Sequence, residues 1–162
     1  NKGVIYACDV HTKRLEQLQK RSKRAGAHNI RTHVLSSERD KWVKQHRDLA
    51  DVVLIDAPCS GTGTWKRNPD SRWNLSPESL QRLIVLQQSI LQSASRLVKP
   101  DGRLLYATCS LLEDENEAQI EQFLINNPEL KNDMGIAANK RYKENYTLEI
   151  FEKKIKDILN NI

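Results

Sequence analysis

An unbroken apolar run, "VVLI" at residues 52–55 within "ADVVLIDAP", is the strongest constraint on how this chain folds. A strand with one face in solvent alternates apolar and polar residues, whereas an uninterrupted run is typical of a strand covered on both faces. Strands of that kind occur mainly in parallel sheets that helices flank. The run therefore predicts an α/β architecture with a mostly parallel sheet.

Three further strands are predicted from short apolar segments that helical patterns separate: "GVIYACD" (3–9), "NIRTHVL" (29–35) and "RLLYATC" (103–109). One helix is predicted to begin with Thr12 as its N-cap and to stop at Gly26. A longer helix begins with Ser76 as its cap and Pro77 in its first turn, and its apolar positions recur with a period of about 3.6. Alternating strands and helices predict right-handed crossovers, with ligands at the carboxyl ends of the strands.

Composition narrows the classes of function. The chain has 162 residues and a net charge of +5, which suits one soluble domain and is compatible with a polyanionic partner. No apolar run approaches the roughly 20 residues of a membrane helix. The three cysteines form no CxxC pair and have no histidine cluster beside them, so a zinc site is not predicted. Reduced thiols in a cytoplasmic protein are expected, and the absence of an initial methionine predicts a fragment.

Two Cys-Ser pairs follow the third and fourth strands, at Cys59 and Cys109. Parallel strands bring both pairs to one rim of the sheet, where Asp9 and Asp56 also lie. Each thiol alone is more simply interpreted as inert and buried, but two on one rim can act in turn on one substrate atom. Ser110 and Glu113 have the spacing of a capping box, and a helix N-terminus there would lower the pKa of the Cys109 thiol. The acidic residues that follow would raise it.

The segment between the two cysteines begins with small residues, "SGTG" (60–63), and continues as a basic, aromatic loop, "TWKRNPDSRW" (64–73). Small residues allow a close backbone approach, but the ending of a phosphate-binding P-loop is missing. Lys66, Arg67 and Arg72 are candidate RNA phosphate contacts, and Trp65 and Trp73 can stack on unpaired bases. Anchoring of each tryptophan to the core is the simpler alternative, and we favour it for both rings.

Together, "DAPCSGTGTWKRNPDSRW" and "YATCSLLEDENEAQIEQFL" resemble the fourth and sixth motifs of the RNA cytosine-5 methyltransferases of the RsmB/Sun type. The resemblance covers residues 3 to about 127, and it is greatest to the bacterial enzymes that methylate a cytosine of 16S ribosomal RNA. It implies a Rossmann-like fold, S-adenosylmethionine as cofactor and RNA as partner. It further implies Cys109 as the nucleophile at cytosine C6 and Cys59 as the thiol that aids product release.

The resemblance also assigns residues around the two thiols. Asp56 would hold the cytosine edge and contribute to the cofactor site, Pro58 would shape that loop, and Asp9 would bind the cofactor ribose. The third-motif acid that would contact adenine is replaced by Ser36 and Ser37, with Glu38 or Asp40 as substitutes.

The sequence departs from this family at both ends. The family's glycine-rich first motif and its strand are absent, so the first and third strands would pair directly, or a separate N-terminal piece would supply the strand, or the chain would fold poorly. We predict a partial catalytic domain over residues 1–127 and a helical tail over 128–162. The tail carries an apolar stripe suited to a core or to a helix-docking partner, formed by Leu148, Phe151, Ile155, Ile158, Leu159 and Ile162. The alternative function is an RNA- or partner-binding module without turnover.

Overall fold

Strands and helices alternate in the computed structural model, which describes residues 2–145, 147–150 and 156. The α/β class is therefore confirmed. The strands are β1 (Ile5–Asp9), β2 (Ile30–Val34), β3 (Ala50–Asp56) and β4 (Val98–Ala107). The α-helices are α1 (Thr12–Arg24), α2 (Lys41–Gln45), α3 (Asp70–Trp73), α4 (Pro77–Ala94), α5 (Glu117–Asn126) and α6 (Pro128–Asn145). Short 3₁₀ turns lie at Thr62–Thr64, Ser95–Leu97 and Glu113–Glu115.

The chain divides into two compact units, Asn1–Asn116 and Glu117–Ile162. The first contains all four strands within the described residues. In the second, α5 packs on α6, and the Asn127 side chain donates to the Phe123 carbonyl. Most of the predicted apolar stripe, from Phe151 onward, lies outside the described residues, while Leu148 is exposed. The division that we predict at residue 127 stays a prediction.

The strands pair in parallel, as predicted, but as two separate ribbons. β1 pairs with β2, so that Ile5 lies opposite Ile30, and β3 pairs with β4, so that Asp56 lies opposite Ala107. Among the described residues β1 does not pair with β3, so direct pairing, one of the three alternatives that the sequence leaves open, does not occur. The register of the second pair places the loops after β3 and β4 side by side.

Packing in the first unit covers one face of the β3–β4 ribbon. Ile55 is buried and α4 contacts β3 from that side, where Leu91 is almost fully enclosed. On the other face Val52 is 53% exposed and Leu54 is 66% exposed. The prediction that "VVLI" is covered on both faces is therefore wrong for this chain, because no described element packs on the second face.

Sequence signals at the ends of the elements predict some of the observed bounds and miss others. Ser76 caps α4 in a reciprocal capping box with Ser79, as the Ser-Pro sequence predicts for the helix start. Gly26, just past α1, has a left-handed φ of 65°, which explains the helix stop. However, the N-cap of α1 is His11, not Thr12. β4 also begins five residues earlier than predicted, because a register shift beside Val52 lets Val98 pair with Ala50. No helix in the described part of the chain has the length and hydropathy to span a membrane.

Candidate active site

The two sequence-predicted thiols meet at the carboxyl end of the β3–β4 ribbon. The Sγ atoms of Cys59 and Cys109 lie 3.2 Å apart, within hydrogen-bond distance, although 50 residues separate them. The adjacent parallel strands β3 and β4 end just before these residues, so their loops leave the sheet together. The expectation that both Cys-Ser pairs share one rim is confirmed. Cys109 is exposed and Cys59 is half-buried, so a reactant has access to the pair from the Cys109 side.

The small residues of "SGTG" let the two loops touch. The Gly63 amide donates to the Cys109 carbonyl at 3.0 Å, and a Cβ at Gly63 would lie only 2.8 Å from that oxygen. Gly61 has a left-handed φ of 69°, which starts the 3₁₀ turn. The close backbone approach that the small residues predict is therefore an approach to the loop of Cys109. This contact explains why the segment resembles a phosphate-binding loop.

A buried polar cluster lies beneath the thiols and was missed by the sequence analysis. Ser60 donates its amide to Glu115 Oε1 at 2.8 Å and its hydroxyl to Glu115 Oε2, and the Ser60 and Ser110 hydroxyl oxygens are 3.2 Å apart. Gln87 on α4 donates to both Glu115 and the Pro58 carbonyl. A signal was available for Gln87, because it occupies an inward position of α4, one turn before Leu91.

The predicted capping box at Ser110 and Glu113 does not form. Residues 113–115 make a 3₁₀ turn whose N-cap is Leu112, and α5 begins at Glu117. The Ser110 hydroxyl instead accepts from the Leu112 amide and lies near Thr62. Cys109 is therefore too far along the chain from a helix N-terminus to gain the predicted lowering of its pKa.

The pKa of the Cys109 thiol is raised, mainly by its hydrogen bond with Cys59 and further by desolvation and by the charges of Cys59 and Asp56. The neighbouring thiol favours the protonated form, so the thiolate of Cys109 is scarce at neutral pH. The pKa of Cys8 is raised to about 11 by desolvation and by Asp40. Cys8 lies on β1 and is an exposed thiol, and this raised pKa favours its protonated form.

A pH prediction follows for Cys109. Replacing Cys59 by alanine removes the hydrogen bond and charge that raise the Cys109 pKa, so the midpoint of Cys109 alkylation moves to lower pH. Because thiolate is the attacking species, we expect alkylation by iodoacetamide near neutral pH to accelerate about three- to tenfold. Mass spectrometry of the Cys109 peptide across a pH series measures this, with Cys8→Ala as the control. An unchanged pH midpoint in Cys59→Ala would contradict the expectation.

Two other predicted site residues flank the thiols. Asp56 ends β3 and is exposed, and Pro58 is exposed with its carbonyl bound by Gln87. Asp9 ends β1 on the other ribbon, where its carboxylate accepts from the His11 amide at 2.8 Å and lies 3.5 Å from Arg14. The Asp9 side chain therefore helps to start α1, as a strand-end acid near a helix commonly does, and it keeps free lone pairs.

The proposed substitutes for the third-motif acid have local partners. The Asp40 carboxylate accepts from the Ser36 hydroxyl and amide and from the Trp42 amide, which caps α2. These bonds, that from the Ser36 hydroxyl first, lower the Asp40 pKa to about 2. Glu38 accepts from Ser89 on α4. The structure thus uses both acids to hold the segment after β2. Within the described residues no cluster of His, Cys, Asp and Glu could hold a metal ion.

The basic loop keeps its cations in solvent. Lys66 and Arg67 are exposed, and the Arg72 guanidinium lies 5.7 Å from the Trp65 ring centre and 5.8 Å from that of Trp73. Trp73 is 81% exposed, so anchoring to the core, which we favoured, is wrong for this ring. Trp65 is half-buried with its indole N–H enclosed, so its anchoring to the core stays a prediction.

Comparisons with known proteins agree with these motifs. The family described as "16S rRNA methyltransferase RsmB/F" matches residues 1–157. A probable ribosomal RNA small subunit methyltransferase B from Synechocystis sp. is 44% identical over 76% of this chain and 28% of its own length. The ribosomal RNA small subunit methyltransferase B of Pasteurella multocida is 39% identical over 78% of this chain and 29% of its own.

A solved structure is similar as well. The crystal structure of PH0851 superposes with a TM-score of 0.71 at 42% identity, covering 76% of this chain and 28% of that one. The chain therefore spans less than a third of the length of these relatives.

Proposed function

Because the chain belongs to the 16S rRNA methyltransferase RsmB/F family, we propose that it contributes the catalytic thiols for methylation of a cytosine at C5 in small-subunit ribosomal RNA. The single observation that carries this proposal is the 3.2 Å separation of the Cys59 and Cys109 sulfurs at the open end of β3 and β4. A separation this short allows both thiols to reach one pyrimidine ring, and the exposure of Cys109 leaves room for that ring.

The reaction needs a covalent step because C5 of cytosine is a weak nucleophile. The Cys109 thiolate adds to C6 and makes an S–C6 bond, which pushes electron density to C5. S-adenosylmethionine, when bound, supplies the methyl group that C5 then accepts. Loss of the C5 proton to a base and cleavage of the S–C6 bond restore the aromatic ring and the Cys109 thiolate. The target base must leave its stack to be reached.

Asp56 and Cys59 have distinct parts in this proposal. Asp56, exposed beside the thiols, would hold the cytosine edge and favour the protonated ring, which accepts the thiolate more readily. Cys59 would assist the final step by taking up the C5 proton or steering the base that does.

Some of the residues present fit the binding of S-adenosylmethionine. A carboxylate at the end of a parallel strand is a usual partner of ribose hydroxyls, and each carboxylate oxygen accepts more than one hydrogen bond. Asp9 therefore fits that role despite its bonds to His11 and Arg14. Pro58 and Asp56 would line the cofactor at the end of β3. Lys66, Arg67 and Arg72 would contact RNA phosphates, and Trp73 would stack on an unpaired base.

Covalent trapping tests the proposed function. The purified protein is incubated with S-adenosylmethionine and 16S ribosomal RNA fragments that contain 5-fluorocytosine, whose fluorine blocks loss from C5. We expect a protein–RNA adduct that survives denaturation and maps to Cys109. The matched control is RNA with ordinary cytosine, which should release product. Salt-sensitive RNA binding without any adduct would overturn the proposal in favour of a binding module without turnover.

A further inference from the structure

The repeated Cys-Ser doublet has a structural counterpart on its buried side. At each doublet the cysteine faces its partner cysteine and the serine faces its partner serine, so that the Sγ pair is 3.2 Å apart and the Oγ pair is also 3.2 Å apart. Ser60 and Ser110 are both buried, whereas Cys109 is exposed. The contact between the two serines therefore lies on the buried side of the thiol pair and supports it.

Glu115 connects this serine pair to the elements around it. It is fully buried and accepts the amide and hydroxyl of Ser60, while its oxygen Oε1 also accepts from Gln87 at 2.9 Å. Its backbone carbonyl accepts from the Tyr106 hydroxyl on β4 at 3.0 Å, which fixes the turn that carries it. A single carboxylate thus connects the loop after β3, helix α4 and the segment after β4.

The hydrogen bonds that Glu115 accepts favour the charged form of its carboxylate. Burial alone would raise the pKa of Glu115, but hydrogen bonds from Ser110, Ser60 and Gln87 outweigh burial and leave the pKa below its ordinary value. A buried charge is tolerated only where donors surround it, and removing such an acceptor leaves those donors unsatisfied. Burying a charged carboxylate is costly, and an apolar side chain would bury this turn without that cost. The charge therefore points to a role in placing the two cysteine loops precisely.

We propose that Glu115 is a positioning residue whose buried carboxylate, acting through Ser60 and Ser110, sets the separation of the Cys59 and Cys109 thiols. Charge-assisted hydrogen bonds are shorter and stronger than neutral ones, so they restrict the two loops more tightly. Whether this thiol separation matters for turnover rests on the proposed function, but the effect of Glu115 on the separation does not. It can therefore be measured without RNA or cofactor.

Binding of phenylarsine oxide measures the thiol separation. The arsenical bonds two sulfurs to one arsenic atom and releases its oxygen as water with the two thiol protons, so no oxidant is needed. In a Cys8→Ala background we expect Glu115→Ala to weaken this bidentate binding about tenfold or more, because a looser pair has a lower effective concentration. Glu115→Gln keeps the volume and one acceptor oxygen, and should weaken it by a smaller factor. Glu113→Ala, exposed in the same turn, should stay within about twofold.

A second control separates positioning from stability. Leu91→Ala removes a buried side chain of α4 outside the polar cluster, so it should lower the melting temperature without changing arsenical binding measured well below that temperature. If the Glu115 variants fail to fold, Ser110→Ala decides. It removes the Ser110 hydroxyl with its contacts to Ser60, Thr62 and the Leu112 amide but keeps the Glu115 carboxylate, and it should also weaken binding. The proposal is overturned if any folded variant of Glu115, or Ser110→Ala in their place, binds the arsenical as tightly as the parent protein. Absence of RNA trapping by the parent protein, together with weakened arsenical binding in the Glu115 variants, would count against the proposed function alone.

Discussion

Replacing Cys109 by alanine is expected to abolish the covalent RNA adduct, whereas replacing Cys59 by alanine is expected to make the adduct accumulate on ordinary cytosine. Without the Cys109 sulfur no S–C6 bond forms, so trapping should fall below detection. Without Cys59 the addition and methyl transfer proceed, but release slows by roughly 10²–10⁴-fold, the usual contribution of a positioned acid–base group. Denaturing gel electrophoresis of protein with RNA and S-adenosylmethionine distinguishes the two variants.

The Cys8→Ala variant is the matched control for both, because Cys8 is a thiol remote in sequence from the pair and has a pKa raised to about 11. It should behave like the parent protein. Identical behaviour of Cys59→Ala and Cys109→Ala would contradict the division of roles. The opposite pattern, with accumulation in Cys109→Ala, would reverse the assignment of nucleophile and release thiol.

Gly63→Ala is expected to separate the two cysteine loops and reduce RNA trapping about a hundredfold, since a shift on the order of 1 Å in a reacting group has that cost. The new Cβ would lie 2.8 Å from the Cys109 carbonyl, and this neighbour is backbone that cannot rotate away. The Gly63–Cys109 hydrogen bond would lengthen and the free energy of unfolding would fall by about 1–3 kcal/mol, as in other overpacked sites. Trapping assays and denaturant unfolding measure the two effects.

Gly135→Ala supplies the comparison for this substitution. Gly135 lies in α6, and apart from the adjacent backbone of that helix no atom lies within 4 Å of an added Cβ, so alanine there should raise stability by about 0.5–1 kcal/mol through helix propensity. Trapping should be unaffected. If Gly63→Ala kept trapping within a factor of two of the parent, the loop contact would not be what places Cys109 beside Cys59.

The positions of the two thiols at strand ends could be predicted more reliably than the exact bounds of the strands and helices. Asp56 ends a strand of distinctive composition, and Cys59 and Cys109 come soon after two such strands, so their common rim could be predicted. Element ends were less certain, as at Thr12 and at the start of β4, because short polar segments satisfy several local patterns. The prediction that "VVLI" is buried on both faces was wrong for one face. Apolar composition shows that a side chain favours burial, but it does not show whether another element packs against it.

By itself, the sequence determined the alternation of strands and helices and the presence of two thiols at the strand ends, because strand and helix positions depend on local periodicity. The alternation in turn predicted the parallel pairing. Only the tertiary structure decided that Ser60 and Ser110 meet, that Glu115 and not Glu113 is the acid engaged, and that Trp73 is exposed. Those outcomes depend on the register of β3 against β4 and on which donors reach a buried carboxylate. No local pattern encodes a contact between groups about fifty residues apart, which forms only once parallel strands align their ends.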